Sequence, residues 1–189
     1  PLYRSRCSHL TSRSRCHPPP SLLHSPPFLR HTPPTGSPPD YCVIATSTGG
    51  VTGGDRFSIE ASVAQDAALT LTTQTAERIY KAQPGQTARM TTDLTLAPGA
   101  RLDWLPQETI LFDRCRLRRR LNINMADSAT FLGVETLVLG RALMGERIET
   151  GFVKDDVRIT RAGDLVFADA IELNGAISDQ MSASWCGGT

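Results

Sequence analysis

The chain has 189 residues, a net charge of +1 and 40% hydrophobic residues, enough to bury the core of one domain if most of it folds. Near-neutral charge argues against a general nucleic-acid binder, and no apolar run approaches the ~18 residues that a membrane-spanning helix needs. Cys7, Cys16, Cys42, Cys115 and Cys186 are odd in number and include no C-x-x-C pair; that points away from a disulfide framework or a zinc site and fits a reducing compartment.

Residues 1–40 hold ten of the 13 prolines, all four histidines and a single acid, Asp40, with no sustained period, so this segment is expected to be disordered. It is Arg- and Ser-rich, as transit peptides are, but Pro18, Pro19, Pro20, Pro26 and Pro27 would break the amphipathic helix of such a peptide. The start at Pro1 suggests a fragment or a foreign flank.

Next comes "TSTGGVTGGDRFSIE", residues 46–60. A Walker loop ends in Gly-Lys-Ser/Thr before a helix, and a dinucleotide fingerprint needs G-x-G-x-x-G between strand and helix. Gly49, Gly50, Gly53 and Gly54 meet neither requirement, and the residues after Asp55 alternate like a strand. The pattern predicts a glycine turn in which Asp55 accepts hydrogen bonds from turn amides.

From residue 41 onward the reading is all-β, with few short helices. "FSIEASV" puts Phe57, Ile59, Ala61 and Val63 on one face, and "MTTDLTL" does the same with Met90, Thr92, Leu94 and Leu96. In "CRLRRRLNINM", Cys115, Leu117, Leu121, Ile123 and Met125 share a face, with Arg119 as the exception. Four segments repeat: "VAQDAALTL" from Val63, "LAPGARLDW" from Leu96, "MADSATFLG" from Met125 and "ITRAGDLVF" from Ile159, spaced 33, 29 and 34 residues apart. Each reads as the apolar end of a strand, a turn, a small residue (Ala67, Ala100, Ala129, Gly163) and an apolar restart (Leu69, Leu102, Phe131, Leu165). Such a period predicts a layered, β-helical or solenoid-like stack of antiparallel strand pairs, favoured over a sandwich whose hairpins look alike because turn chemistry is restricted.

"GGVTGGDRFSI", "LTTQTAERIYKA", "LTLAPGARLDWLPQETILFD" and "LVLGRALMGERI" occur in the order and at the spacing of the urease accessory protein family UreD, also called UreH. The chain resembles that family over about residues 41–175. Gly49, Gly50, Gly53, Gly54, Trp104, Pro106, Gly140, Arg141 and Gly145 carry the likeness. The resemblance implies a UreD-like β domain over 41–189, shorter at its C-terminus than the family, behind a non-family segment 1–40. It also implies a cytoplasmic, non-catalytic chaperone without a tightly bound cofactor. Its partners would be urease apoprotein, a UreF-type bridging protein and, through it, the GTPase UreG, with Ni²⁺ in transit and no nucleic acid or membrane involved.

Imidazole suits Ni²⁺, yet no histidine follows His31. A nickel path would therefore use carboxylates, hydroxyls, carbonyls and water, which hold the ion weakly enough to release it. The candidate acids have apolar or glycine neighbours: Asp55, Glu77, Glu135, Glu146 and Asp169. Glu135 and Asp169 each lie four residues past a repeat restart and so are expected at equivalent depths of the stack. The structural alternative is a local ion pair: Arg56 for Asp55, Arg78 for Glu77, and Arg141 or Arg147 for Glu146.

A rival function is a non-enzymatic protein- or nucleic-acid-binding β domain. Arg114, Arg116, Arg118 and Arg120 would line one strand face at about 6.7 Å steps. With only Phe112 as a nearby aromatic, a docking face for an acidic partner fits better than a phosphate-binding stripe. No nucleophile–base pair can be named from spacing, and the chain is read as no enzyme.

Overall fold

The computed structural model describes residues 2–7, 39–45, 49–141 and 144–182. Its strands are β1 (Leu2–Cys7), β2 (Asp40–Ile44), β3 (Arg56–Val63), β4 (Ala68–Thr73), β5 (Glu77–Ile79), β6 (Ala88–Leu96) and β7 (Arg101–Trp104). They continue with β8 (Thr109–Leu111), β9 (Arg116–Met125), β10 (Thr130–Gly133), β11 (Leu137–Leu139), β12 (Thr150–Arg161) and β13 (Asp164–Ala176), and one short helix, α1 (Ile177–Ser182), comes last.

Three sheets take these strands in rotation. The first has the order β1-β3-β6-β9-β12-β13, the second β10-β7-β4-β2 and the third β11-β8-β5. The chain thus winds from first to second to third sheet and back, and each circuit lies on the previous one: a β-helix. Small residues and turns at the corners permit the winding; at one of them Ala97–Ala100 closes with the Ala100 amide donating to the Ala97 carbonyl.

The repeat in the sequence is the pitch of this helix. Val63 lies opposite Leu96 and Leu96 opposite Met125 in the first sheet, and Leu69, Leu102 and Phe131 stand in one row of the second. A layered all-β stack is therefore present, but the pairing inside it is parallel rather than antiparallel. Successive strands of one circuit turn corners into different sheets, so each finds its hydrogen-bonding partner one circuit away, running the same way. Among the strands of the described residues only β12 and β13 pair antiparallel. "ITRAGDLVF" is accordingly a hairpin and not a fourth corner: Ala162 (φ 51°) and Gly163 (φ 95°) reverse the chain within the first sheet.

Two apolar cores fill the interior. One joins the first and second sheets through Val63, Leu69, Leu71, Leu94, Leu102, Leu121 and Ile123. The other joins the first and third through Val51, Ile79, Ala88, Leu111, Leu117 and Val153, and is closed at its end by Ile177 of α1. Residues 1–40 were expected to be disordered; Leu2–Cys7 is a strand parallel to β3, and residues 8–38 lie outside the described residues.

Candidate functional site

A polar belt separates the two apolar cores. On β9, Leu117 belongs to one core and Leu121 to the other, with Arg119 between them; on β12, Val153 and the packed Val157 flank Asp155 in the same way. The register places Arg119 and Asp155 directly opposite each other, both facing inward, with side chains 9% and 8% exposed. Arg119 Nε donates to Asp155 Oδ1 at 2.9 Å and Nη2 to Oδ2 at 2.5 Å, a two-pronged pair, while Nη1 donates to Thr109 Oγ1 at 3.2 Å. Glu135, in the connection after β10, completes the belt: its Oε1 accepts from Trp104 Nε1 at 3.1 Å, and its Oε2 stands 3.2 Å from Arg119 Nη2.

That last contact is poorly aligned. Glu135 Oε2 is buried and receives no hydrogen bond, although a buried carboxylate oxygen ordinarily finds a donor. Beside it lies a cavity of about 70 Å³ whose lining includes Glu77, Thr92, Trp104, Pro106, Thr109, Arg119 and Glu135, large enough for several water molecules. Burial pushes the Glu77 carboxyl above the ordinary glutamate range, partly offset by a hydrogen bond from the Arg78 amide. Burial presses the Arg119 guanidinium down, but the hydrogen bond to Asp155 and the charges of Glu135 and Asp155 carry it above its usual value, so it is a permanent cation. One guanidinium thus faces two carboxylates, with a third at the cavity wall. The carboxylates of the belt offer oxygen ligands and proton acceptors at the wall of a water-sized cavity.

The five acids read from the sequence do not gather. Glu77 and Glu135 line the one cavity. Asp55 closes the glycine turn, its Oδ2 accepting from Thr52 N at 2.8 Å and from Thr52 Oγ1 at 3.3 Å. Glu146 is held in an exposed pair by Arg141, Nε to Oε2 at 2.7 Å and Nη2 to Oε1 at 2.9 Å, and that hydrogen bond keeps its carboxyl below the usual range. Asp169 is exposed on β13, opposite Val157. It shares the inward face of the first sheet, but among the described residues no strand of the second or third sheet follows β13 to cover it. Equal distance from a restart therefore did not mean equal depth. Among the described residues no three His, Cys, Asp or Glu side chains group closely enough to hold a metal ion.

Arg119 was visible in the sequence as an exception to alternation. Asp155 was missed; its alternation with Val153, Val157 and Ile159 was the available signal.

The motif glycines set up the surface around this interior. Gly50 has φ 139°, and a Cβ there would meet Tyr80 Cε2 at 2.4 Å; the turn delivers Val51 to bridge Ile79 and extend the third sheet by one residue. Gly140, φ 69°, passes so close to the Glu146 carbonyl that a Cβ would stand 2.6 Å from it. Gly140, Gly145 and Glu146, together with Tyr80, Phe112 and Asp113, line an open surface cleft of about 670 Å³, and Arg141 stacks over the Phe112 ring at 5.0 Å. Gly49 is exposed, and Gly53 packs against Ala82. Arg114 does not join the expected stripe. It sits in a turn at φ 59°, paired with Asp113 at 3.3 Å, and only Arg116, Arg118 and Arg120 line the outer face of β9.

A parallel β-helix whose interior is crossed by a belt of charged side chains, with its glycine and Arg–Glu motifs on the surface, is the class of fold that the chain adopts. The UreD urease accessory protein family matches residues 11–189, and the chain belongs to that family. The match takes in most of residues 1–40, the segment expected from sequence to lie outside the family. The chain is 48% identical over 147 residues to "Urease accessory protein UreD" of Ruegeria sp. (strain TM1040), covering 78% of this chain and 50% of that protein. It is 48% identical over 142 residues to the protein of the same name in Bradyrhizobium diazoefficiens, 75% of this chain and 51% of the relative. For that of Ruegeria pomeroyi the identity is 46% over 140 residues, 74% and 54%. The chain spans about half the length of the curated relatives it matches. No helix among the described residues is long and apolar enough to cross a membrane.

Proposed function

We propose that this chain serves urease maturation as a non-enzymatic cytoplasmic scaffold: it holds urease apoprotein together with a UreF-type bridging protein and, through it, the GTPase UreG while nickel enters the urease centre. The observation that carries this reading is family membership over residues 11–189. In it nickel is cargo, with no tightly bound cofactor. In this reading a path through the protein would use Glu77 and Glu135, which share one cavity, and Glu135 Oε2, an oxygen left without a donor, would be a ligand on it. Oxygen ligands of this kind suit a divalent ion that must leave again. Arg119 opposes it: its Nη2, held by Asp155, stands 3.2 Å from Glu135 Oε2 and repels Ni²⁺, so passage requires that guanidinium to move away from Glu135.

Co-expression with cognate urease subunits, UreF and UreG tests the scaffold. The chain is expected to co-purify with UreF and apo-urease; recovery of the chain alone, with both partners folded, counts decisively against the role. In the same system Glu135→Gln is expected to keep the complex and yield nickel-poor urease. Normal nickel content in that urease would sink the conduit while leaving the scaffold standing.

A further inference from the structure

The outer face of the first sheet carries a row of cations that runs across the strands, at right angles to the stripe along β9. The register aligns Arg56 with Arg89, Arg89 with Arg118, Arg118 with Lys154, and Lys154 with Glu172. Four basic side chains on β3, β6, β9 and β12 therefore stand side by side, and parallel strands about 4.8 Å apart set their spacing. Like charges directly opposite each other on neighbouring strands repel and destabilise a sheet. Here the repulsion is barely relieved from within. Lys154 pairs with Glu172 at 2.9 Å, whereas Arg56, Arg89 and Arg118 are exposed and form no salt bridge among the described residues. Arg116 and Arg120 thicken the patch on β9.

We infer that this cross-strand row of Arg56, Arg89, Arg118 and Lys154 is a docking face for an acidic α-helix of a protein partner. The inference stands on sheet geometry and does not depend on the urease reading. Three strand steps span about 14 Å. On a helix, acids that recur every three or four residues advance about 5 Å each, so four of them on one face match four cations in the row. The surroundings limit the partner's length and class. Glu60 and Asp93 are aligned in a row farther along the same strands, and Glu172 closes one end; a polyphosphate chain running on past the row would meet these carboxylates. Phe152, the aromatic at hand among the described residues, is buried beneath the guanidinia of Arg116 and Arg118, each 5.1 Å from its ring centre, so it offers no base a stacking surface.

Fluorescence anisotropy on the full chain tests the inference with three probes: a helix-forming peptide with glutamates on one face, a peptide of identical composition with its glutamates scattered around the helix, and an oligothymidylate. The one-face peptide is expected to bind most tightly, to weaken as salt rises, and to lose about tenfold or more in affinity on Arg89→Glu. Arg89→Gln should give a smaller loss, and Arg158→Glu, on the same sheet face but outside the row, little. Melting curves establish that each variant is folded before its affinity is read. Equal binding of the scattered peptide, tighter binding of the oligothymidylate, or a folded Arg89→Glu protein that binds the one-face peptide undiminished would each overturn the assignment.

Discussion

The third circuit, β9 to β11, and the terminal hairpin, β12 and β13, begin alike: a long strand of the first sheet, a turn, a small residue and an apolar restart. In the third circuit the chain then crosses into the second sheet, and Glu135, four residues past Phe131, is folded under it against Trp104 and Arg119. In the hairpin the chain doubles back at Ala162 and Gly163, and Asp169, four residues past Leu165, stays in water. Phe167 and Ile171 share its uncovered face and are 49% and 47% exposed. A strand that points a side chain inward does not bury it. Closure of the circuit does, and only closure makes an acid expensive enough to need Arg119.

Replacing the belt's one cation should separate the two regions most. Arg119→Met leaves Asp155 and Glu135 buried without a counter-charge and is expected to cost about 3–5 kcal/mol in denaturant unfolding; a loss below ~1 kcal/mol would mean that the belt is hydrated and worth little. Trp104→Phe removes both the donor to Glu135 Oε1 and the second ring of a buried indole, so a loss of about 2–3 kcal/mol with a native circular-dichroism spectrum is expected.

The pH dependence sharpens the comparison. Glu77 has its folded-state pKa raised by burial, so the folded state binds its proton more tightly than the unfolded chain does. Its contribution is present in full below the unfolded glutamate pKa and is lost as pH rises through the raised folded value. Glu77→Gln is therefore expected to flatten the fall in stability between those two values, measured as melting temperature against pH. The same slope in both proteins would place the titration elsewhere. The smallest effect belongs to the hairpin: Asp169→Ala should shift stability by no more than ~0.5 kcal/mol, and a larger loss would show that β13 is covered in solution.

Much of the fold was legible because a β-helix writes its pitch into the chain. Steps of 33 and 29 residues in the sequence are the register steps from Val63 to Leu96 to Met125, and alternation named the inward residues of β3, β6 and β9. The direction of pairing was not legible. Two apolar runs joined by a short turn look the same whether they fold into a hairpin or turn a corner, and only the circuit decides that neighbours in sequence are not neighbours in a sheet.

The sequence by itself determined the inward faces, the glycine turn with Asp55 as its hydrogen-bond acceptor, and the oddity of Arg119. Family membership rests on the same local patterns. Tertiary structure alone decided what Arg119 meets. Asp155 lies 36 residues away and Glu135 reaches it from the connection between β10 and β11, because winding brings distant residues into register while the spacing along any one strand stays silent about the next. For the same reason the row of Arg56, Arg89, Arg118 and Lys154 exists only across strands: charge repulsion acts through the roughly 4.8 Å between strands, a distance that the linear chain does not contain.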